Sequence, residues 1–147
     1  MPGALHEQCV DAAAAVVAGL GLSGIGKNVV TQTEHDEANT ERPCVLVSIG
    51  GEAETVLNLS SGSRVVGYPV RLEFLAQADS SEAEDLGAWS TWREAVVDAF
   101  PDRRAAGYPA AVHGCDVLPG VVADGRSKAT RRLYGTLLLR FKVARKV

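Results

Sequence analysis

The sequence predicts an α+β fold: a mostly antiparallel sheet of four to six strands with two helices packed on one face. Three observations point there. Two segments place apolar residues at helical spacing, several others alternate apolar and polar residues with a period of two, and the helices do not alternate with the strands one for one. The succession reads α-β-β-β-β-α-β-β. With 147 residues and 46% hydrophobic composition, the chain suits one domain, 1–147, that buries a core without a metal or a disulfide. A flexible loop is expected near 119–132.

The first helix is expected over Ala4–Leu20. Leu5, Cys9, Ala12, Ala13, Val16, Val17 and Leu20 fall on one stripe, the stretch is alanine-rich, and Gly19 and Gly21 suit its end. Leu22–Asn28 follows as a glycine-punctuated loop, and Val29–Thr33 reads as extended. His35–Arg42 is a polar turn. Cys44–Ile49 is a short apolar, β-branched run that suits an inner strand. Ala53–Leu59 is expected to pair with it across a Gly50-Gly51 turn, and Ser60–Ser63 is a further turn.

Val66–Gln77 alternates, with Val66, Tyr68, Val70, Leu72, Phe74 and Ala76 on one face and Arg71, Glu73 and Gln77 on the other. Pro69 suggests an edge or a bulge near its start. Ser80 and Ser81, followed by Glu82, Glu84 and Asp85, mark a helix start. Ser81 with Glu84 fits the reciprocal capping pattern, and the acidic first turn complements the helix dipole. Leu86, Trp89, Trp92 or Arg93, Val96 and Phe100 form its buried stripe, and Pro101 follows the helix. Ala110–Leu118 reads as a strand and Pro119–Ala129 as a loop rich in glycine and charge. In the closing strand Leu133, Gly135, Leu137, Leu139, Phe141 and Val143 share one face. Arg132, Tyr134, Thr136, Leu138, Arg140 and Lys142 share the other. Long strands with one charged face fit a sheet covered on one side.

The net charge of -3 conceals a strong polarity. Residues 1–100 hold fifteen acidic and five basic side chains, whereas residues 101–147 hold three acidic and ten basic. Two readings are open: head-to-tail association of copies or docking on a partner of opposite sign, or neutralisation of the two segments within one fold. Three widely spaced cysteines, Cys9, Cys44 and Cys115, argue for reduced thiols and synthesis in the cytoplasm. No apolar stretch is long enough to span a bilayer, and no secretory signal is expected.

The chemistry-bearing patterns are weak. Gly21–Asn28 matches a phosphate-cradling loop, except that Asn28 stands where serine or threonine would hold magnesium. Moreover, the order of a helix before and a strand after is the reverse of what that chemistry needs. His6 with Cys9, and His113 with Cys115 on one strand face, make poor zinc knuckles, so no metal or cofactor is expected. A small cytosolic enzyme using Cys115 and His113 is an alternative class, but neither has an evident third partner. The basic residues Arg126, Lys128, Arg131, Arg132, Arg140, Lys142, Arg145 and Lys146 suit either a nucleic-acid contact or a charged face that deters edge aggregation. Sequence-specific DNA reading is not expected, because no reading module is visible. Trp89 suits the core, and Trp92 is a candidate interface anchor.

Five segments together resemble the tail terminator (tail completion) proteins of long-tailed bacteriophages. They are the first helix ending in Gly19-Leu20-Gly21-Leu22, the strand after Arg42-Pro43, the Tyr68–Phe74 strand, the Trp89–Val97 helix and the Leu133–Phe141 strand. The likeness is one of size, order and texture over most of the chain. It implies a homohexameric ring that caps the tail tube, joins it to the head-closure or connector protein, and lets genomic DNA pass through its lumen without sequence-specific contact. It also implies residence in the virion neck, no membrane and no catalytic residues. A head-closure protein or another minor tail component is the neighbouring alternative. A closed ring needs a heterologous interface, for which the candidates are Trp92, Val121, Val122, Arg126, Lys128, Arg131, Arg132, Arg140 and Lys142. The Val121–Arg132 stretch is either a contact loop laid over a neighbour or an ordinary hairpin tip.

Overall fold

The structure is a computed structural model that describes residues 4–31, 44–58, 62–76, 82–118 and 132–146. It is an α+β fold with the elements in the expected succession. They are α1 (Leu5–Gly19), β1 (Val29–Thr31), β2 (Cys44–Ile49), β3 (Glu54–Asn58), β4 (Ser63–Ala76), α2 (Glu82–Ala99), β5 (Val112–Leu118) and β6 (Arg132–Lys146). The six strands form one sheet in the order β1-β2-β4-β6-β5, with β3 also on β4. Every pairing is antiparallel except β1 with β2.

The long strands organise everything else. β4 and β6, fourteen and fifteen residues, pair from Ser63↔Lys146 to Ala76↔Arg132. β2 has only six residues and covers β4 from Val70 to Leu75, so the rest of that edge is open to a second strand. β3 takes it, pairing along Arg64–Gly67 in line with β2. The expected β2–β3 hairpin is therefore corrected: the chain carries on along β4 instead of folding back. Gly50 N–H donates to the Pro69 carbonyl at 2.9 Å, and a Cβ on Gly50 would lie 2.6 Å from Leu138. That close approach holds the chain against β4 where a hairpin would lift it away.

Pro69 also needs correction, since it sits inside a central strand, opposite Arg140 of β6. In an antiparallel strand a residue's N–H and C=O point to the same side. The Pro69 carbonyl meets Gly50, so the missing N–H falls at the seam between β2 and β3, where it interrupts no ladder with β6.

The core lies between the sheet and both helices. Val45, Val47, Val70, Leu72, Phe74, Leu137, Leu139 and Phe141 from the sheet meet Cys9, Ala13 and Val17 of α1 and Trp89, Trp92, Val96 and Phe100 of α2. Phe74 is held edge-on by Trp89 (5.2 Å between ring centroids) and stacked by Trp92 (6.0 Å). Gly135 makes this possible: a Cβ there would lie 2.8 Å from the Trp89 indole. The α1 stripe is turned slightly from the expected one. Val10 and Ala14 are buried, while Leu20, just past the helix end, is 37% exposed. The face away from the helices is not uniformly wet, because Cys44 and Leu75, paired across β2 and β4, are fully buried there. The side chains of Ala76, Leu86, Arg132, Leu133 and Tyr134, and the proposed Ser81 cap, lie outside the described residues, as do Thr33, the His35–Arg42 turn, and Ser60 and Ser61 of the Ser60–Ser63 turn.

Candidate functional site

Two residues of the expected interface, Arg140 and Lys142, stand on the sheet face away from the helices, because they alternate with core-facing Leu139, Phe141 and Val143. β5 runs beside them and sets Asp116 opposite Arg140. Arg140 donates through Nε (3.2 Å) and Nη2 (2.6 Å) to Asp116 Oδ2, while Lys142 Nζ bridges Asp116 Oδ1 (3.2 Å) and Asp102. Burial alone would push the Asp116 carboxyl up, but hydrogen bonds from Arg140 and Lys142 outweigh it and leave the group below its ordinary 3.8. Burial likewise tends to lower Lys142, and its bonds to Asp102 and Asp116 outweigh this and raise it. These two cations are engaged within their own chain.

Trp92 is not at a surface. It is 3% exposed, stacked on Phe74, and its indole N–H donates to the Ser23 carbonyl at 2.8 Å. The physical reason is its spacing: three residues from Trp89, it shares the helix face turned to the core. Val121, Val122, Arg126, Lys128 and Arg131 lie outside the described residues, as does the Arg132 side chain.

The glycine loop is a packed connector. Leu22 and Ile25 are buried, Gly21, Gly24 and Gly26 have positive φ, and Leu22 O accepts the N–H groups of Ile25 (3.0 Å) and Gly26 (2.7 Å). With Asn28 N–H bonded to Ile25 O at 2.9 Å, three of the loop's backbone donors are thus used inside the loop.

His113 and Cys115 do not share a face. A bulge between Val112 and Gly114 leaves His113 as the extra residue, exposed, while Cys115 turns inward beside Val112. His6 donates Nε2–H to the Pro69 carbonyl at 2.6 Å. Burial pushes the Cys9 and Cys115 thiols up to about 12. Among the described residues no three His, Cys, Asp or Glu side chains gather to hold a metal ion.

A second basic site was not legible as such. Arg64 of β4 and Arg145 of β6 are direct cross-strand partners at one end of the sheet. With Glu54, Thr55, Val66 and Tyr68 they line an open cleft of about 310 Å³. Arg145 donates to the Tyr68 hydroxyl through Nε (3.1 Å) and Nη2 (2.7 Å) and lies 5.8 Å from its ring centroid. Tyr68 in turn meets His6 edge-on at 5.4 Å. Arg145 appears in the sequence only as one basic residue among many, and nothing in the linear order links it to Arg64.

Arg71 meets Glu73 at 3.6 Å within β4, and Arg140 and Lys142 meet Asp116 and Asp102. Among the described residues no ion pair joins the acidic 1–100 segment to the basic 101–147 segment. No helix of the described residues is long and apolar enough to cross a membrane. No protein-family model matches the chain, and a search of curated proteins found no match.

Proposed function

We propose that this chain is a structural assembly protein of a bacteriophage neck, a tail terminator that caps the tail tube as a ring, hexameric by the family resemblance, and meets the head-side connector. The observation that carries the reading is the charge polarity of the sequence, fifteen acidic against five basic side chains in 1–100 and three against ten in 101–147, with no ion pair between the two segments among the described residues. A charge polarity of this kind within one chain favours a heterologous contact, and a heterologous contact whose rotation closes makes a ring. The five segments that carry the resemblance fold as α1, β2, β4, α2 and β6, the helix-and-sheet framework of the domain. That framework supports the reading as a rigid tile. Genomic DNA passes through the lumen of such a ring without base-specific contact.

The test is mass photometry of the purified chain alone and with tail-tube protein from the same phage, with negative-stain images of the mixture. The expected outcome is a closed ring seated on tube ends and tubes that stop growing. A monomer at every concentration, with no effect on tube growth, overturns the proposal.

A further inference from the structure

The Arg64–Arg145 cleft holds two cations with no carboxylate at ion-pair distance among the described residues, although Glu54 lines the same cleft. Two guanidinium groups directly opposite on neighbouring strands repel one another, yet neither has a carboxylate partner among the described residues, in contrast to Arg71, Arg140 and Lys142. Arg145 is also held in place by Tyr68, so the cleft is organised before any ligand arrives. Beside it, β3 exposes Leu57 (53%) and Val56 (36%).

The mirror pattern occurs on α2. Glu94 and Asp98 are exposed one helical turn apart, a like-charge spacing that is itself unfavourable, and Val97 between them is 37% exposed. Neither acid has an ion-pair partner among the described residues. The one basic neighbour on this ridge, Arg93, matches the one carboxylate of the cleft, Glu54. A further acidic pair, Glu7 and Asp11, follows His6 on α1, and His6 touches the cleft's own Tyr68.

We infer that the Arg64–Arg145 cleft is a docking site for the Glu94–Asp98 ridge of α2 of a second copy of this chain. Each contact relieves one repulsion between cations and one between anions, and sets Val97 near the exposed Val56 and Leu57. The contact is head-to-tail, so each copy offers a cleft to one neighbour and a ridge to another. The inference rests on the ring reading for its setting.

The experiment compares the wild-type chain, R64E/R145E, E94K/D98K and the chain carrying all four substitutions, by sedimentation velocity over a concentration series. Circular dichroism melts serve as the check on folding. The two ridge substitutions are at exposed positions outside the core, so at least that arm keeps its fold. Each double variant is expected to raise the assembly midpoint by about tenfold or more, since like charges then face each other. The fourfold swap, and an equimolar mixture of the two doubles, are expected to return it to within about threefold of wild type. If folded double variants assemble as the wild type does, or the swap restores nothing, the cleft inference falls and the ring stands. If assembly depends on the cleft but yields open chains that never close, the inference stands and the ring falls. A wild-type chain that never self-associates overturns both.

Discussion

Trp92 and Ser23 lie sixty-nine residues apart in sequence and are joined directly, indole N–H to main-chain carbonyl at 2.8 Å. This bond ties the glycine loop after α1 to α2, and the same indole stacks on Phe74 of the sheet. One side chain thus couples a loop, a helix and a strand.

Replacing Trp92 by Phe keeps most of the ring and removes the donor, leaving the Ser23 carbonyl without that partner. A loss of about 1 kcal/mol is expected, whereas Trp92→Ala, which also opens a cavity, is expected to cost about 3–5 kcal/mol. Urea unfolding monitored by circular dichroism separates the two. Equal losses would mean that the hydrogen bond contributes nothing.

Gly135→Ala places a methyl group where the Trp89 indole already lies, 2.8 Å from the would-be Cβ. Trp89 is buried and wedged against Phe74, so it has little room to yield. A destabilisation of about 1–3 kcal/mol is expected, with an altered tryptophan emission spectrum. An unchanged melting temperature would show that the indole moves freely.

Asp116 holds both Arg140 and Lys142, and their hydrogen bonds keep its carboxyl below the ordinary 3.8 despite burial. A carboxyl lowered in the folded chain adds its full stabilisation above the unfolded value and loses it as pH falls through the folded one. Asp116→Asn is therefore expected to cost about 1–2 kcal/mol at neutral pH. The gap from wild type should close as pH drops below 3.8. Lys142 is raised by the same contacts, so its share is present at neutral pH and fades only as pH rises past its folded value above 10.5. Melting temperatures of the two proteins between pH 2.5 and 7, each referenced to about 0.1 M salt to hold screening constant, check the sign.

The thiols should be silent in the native chain. Cys9, Cys44 and Cys115 are buried, and burial pushes Cys9 and Cys115 up to about 12, leaving almost no thiolate at neutral pH. A colorimetric disulfide reagent is expected to label none of them within minutes, and all three once the chain is unfolded. Rapid native labelling of Cys115 would favour the enzyme reading.

The element succession was legible because the two periodicities, about 3.6 and 2, are written in the apolar positions themselves. Val70, Leu72 and Phe74 or Leu137, Leu139 and Phe141 can be read without knowing what they touch. The partner of β3 was not legible, because it depends on how much of β4 the shorter β2 leaves uncovered. The bulge at His113 was hidden for a related reason: one unpaired residue reverses which side chains face inward, and no residue type announces it. Trp92 was misplaced because a tryptophan at a helix border reads equally as core or contact until the partner surface, here Phe74 and Ser23, is known. The Arg64–Arg145 pairing is a matter of register between strands far apart in the chain, so only the folded sheet brings it out.

β6 is the latest of the described strands to be synthesised, yet it lies between β4 and β5 and contributes Leu137, Leu139 and Phe141 to the core. A nascent chain emerging from the ribosome therefore holds β4 and α2 without their principal partner until β6 has itself emerged. Closure of the sheet thereby waits on β6, and the β4 edge that β6 will cover is the surface on which a chaperone, or a misdirected neighbour, would act during that interval.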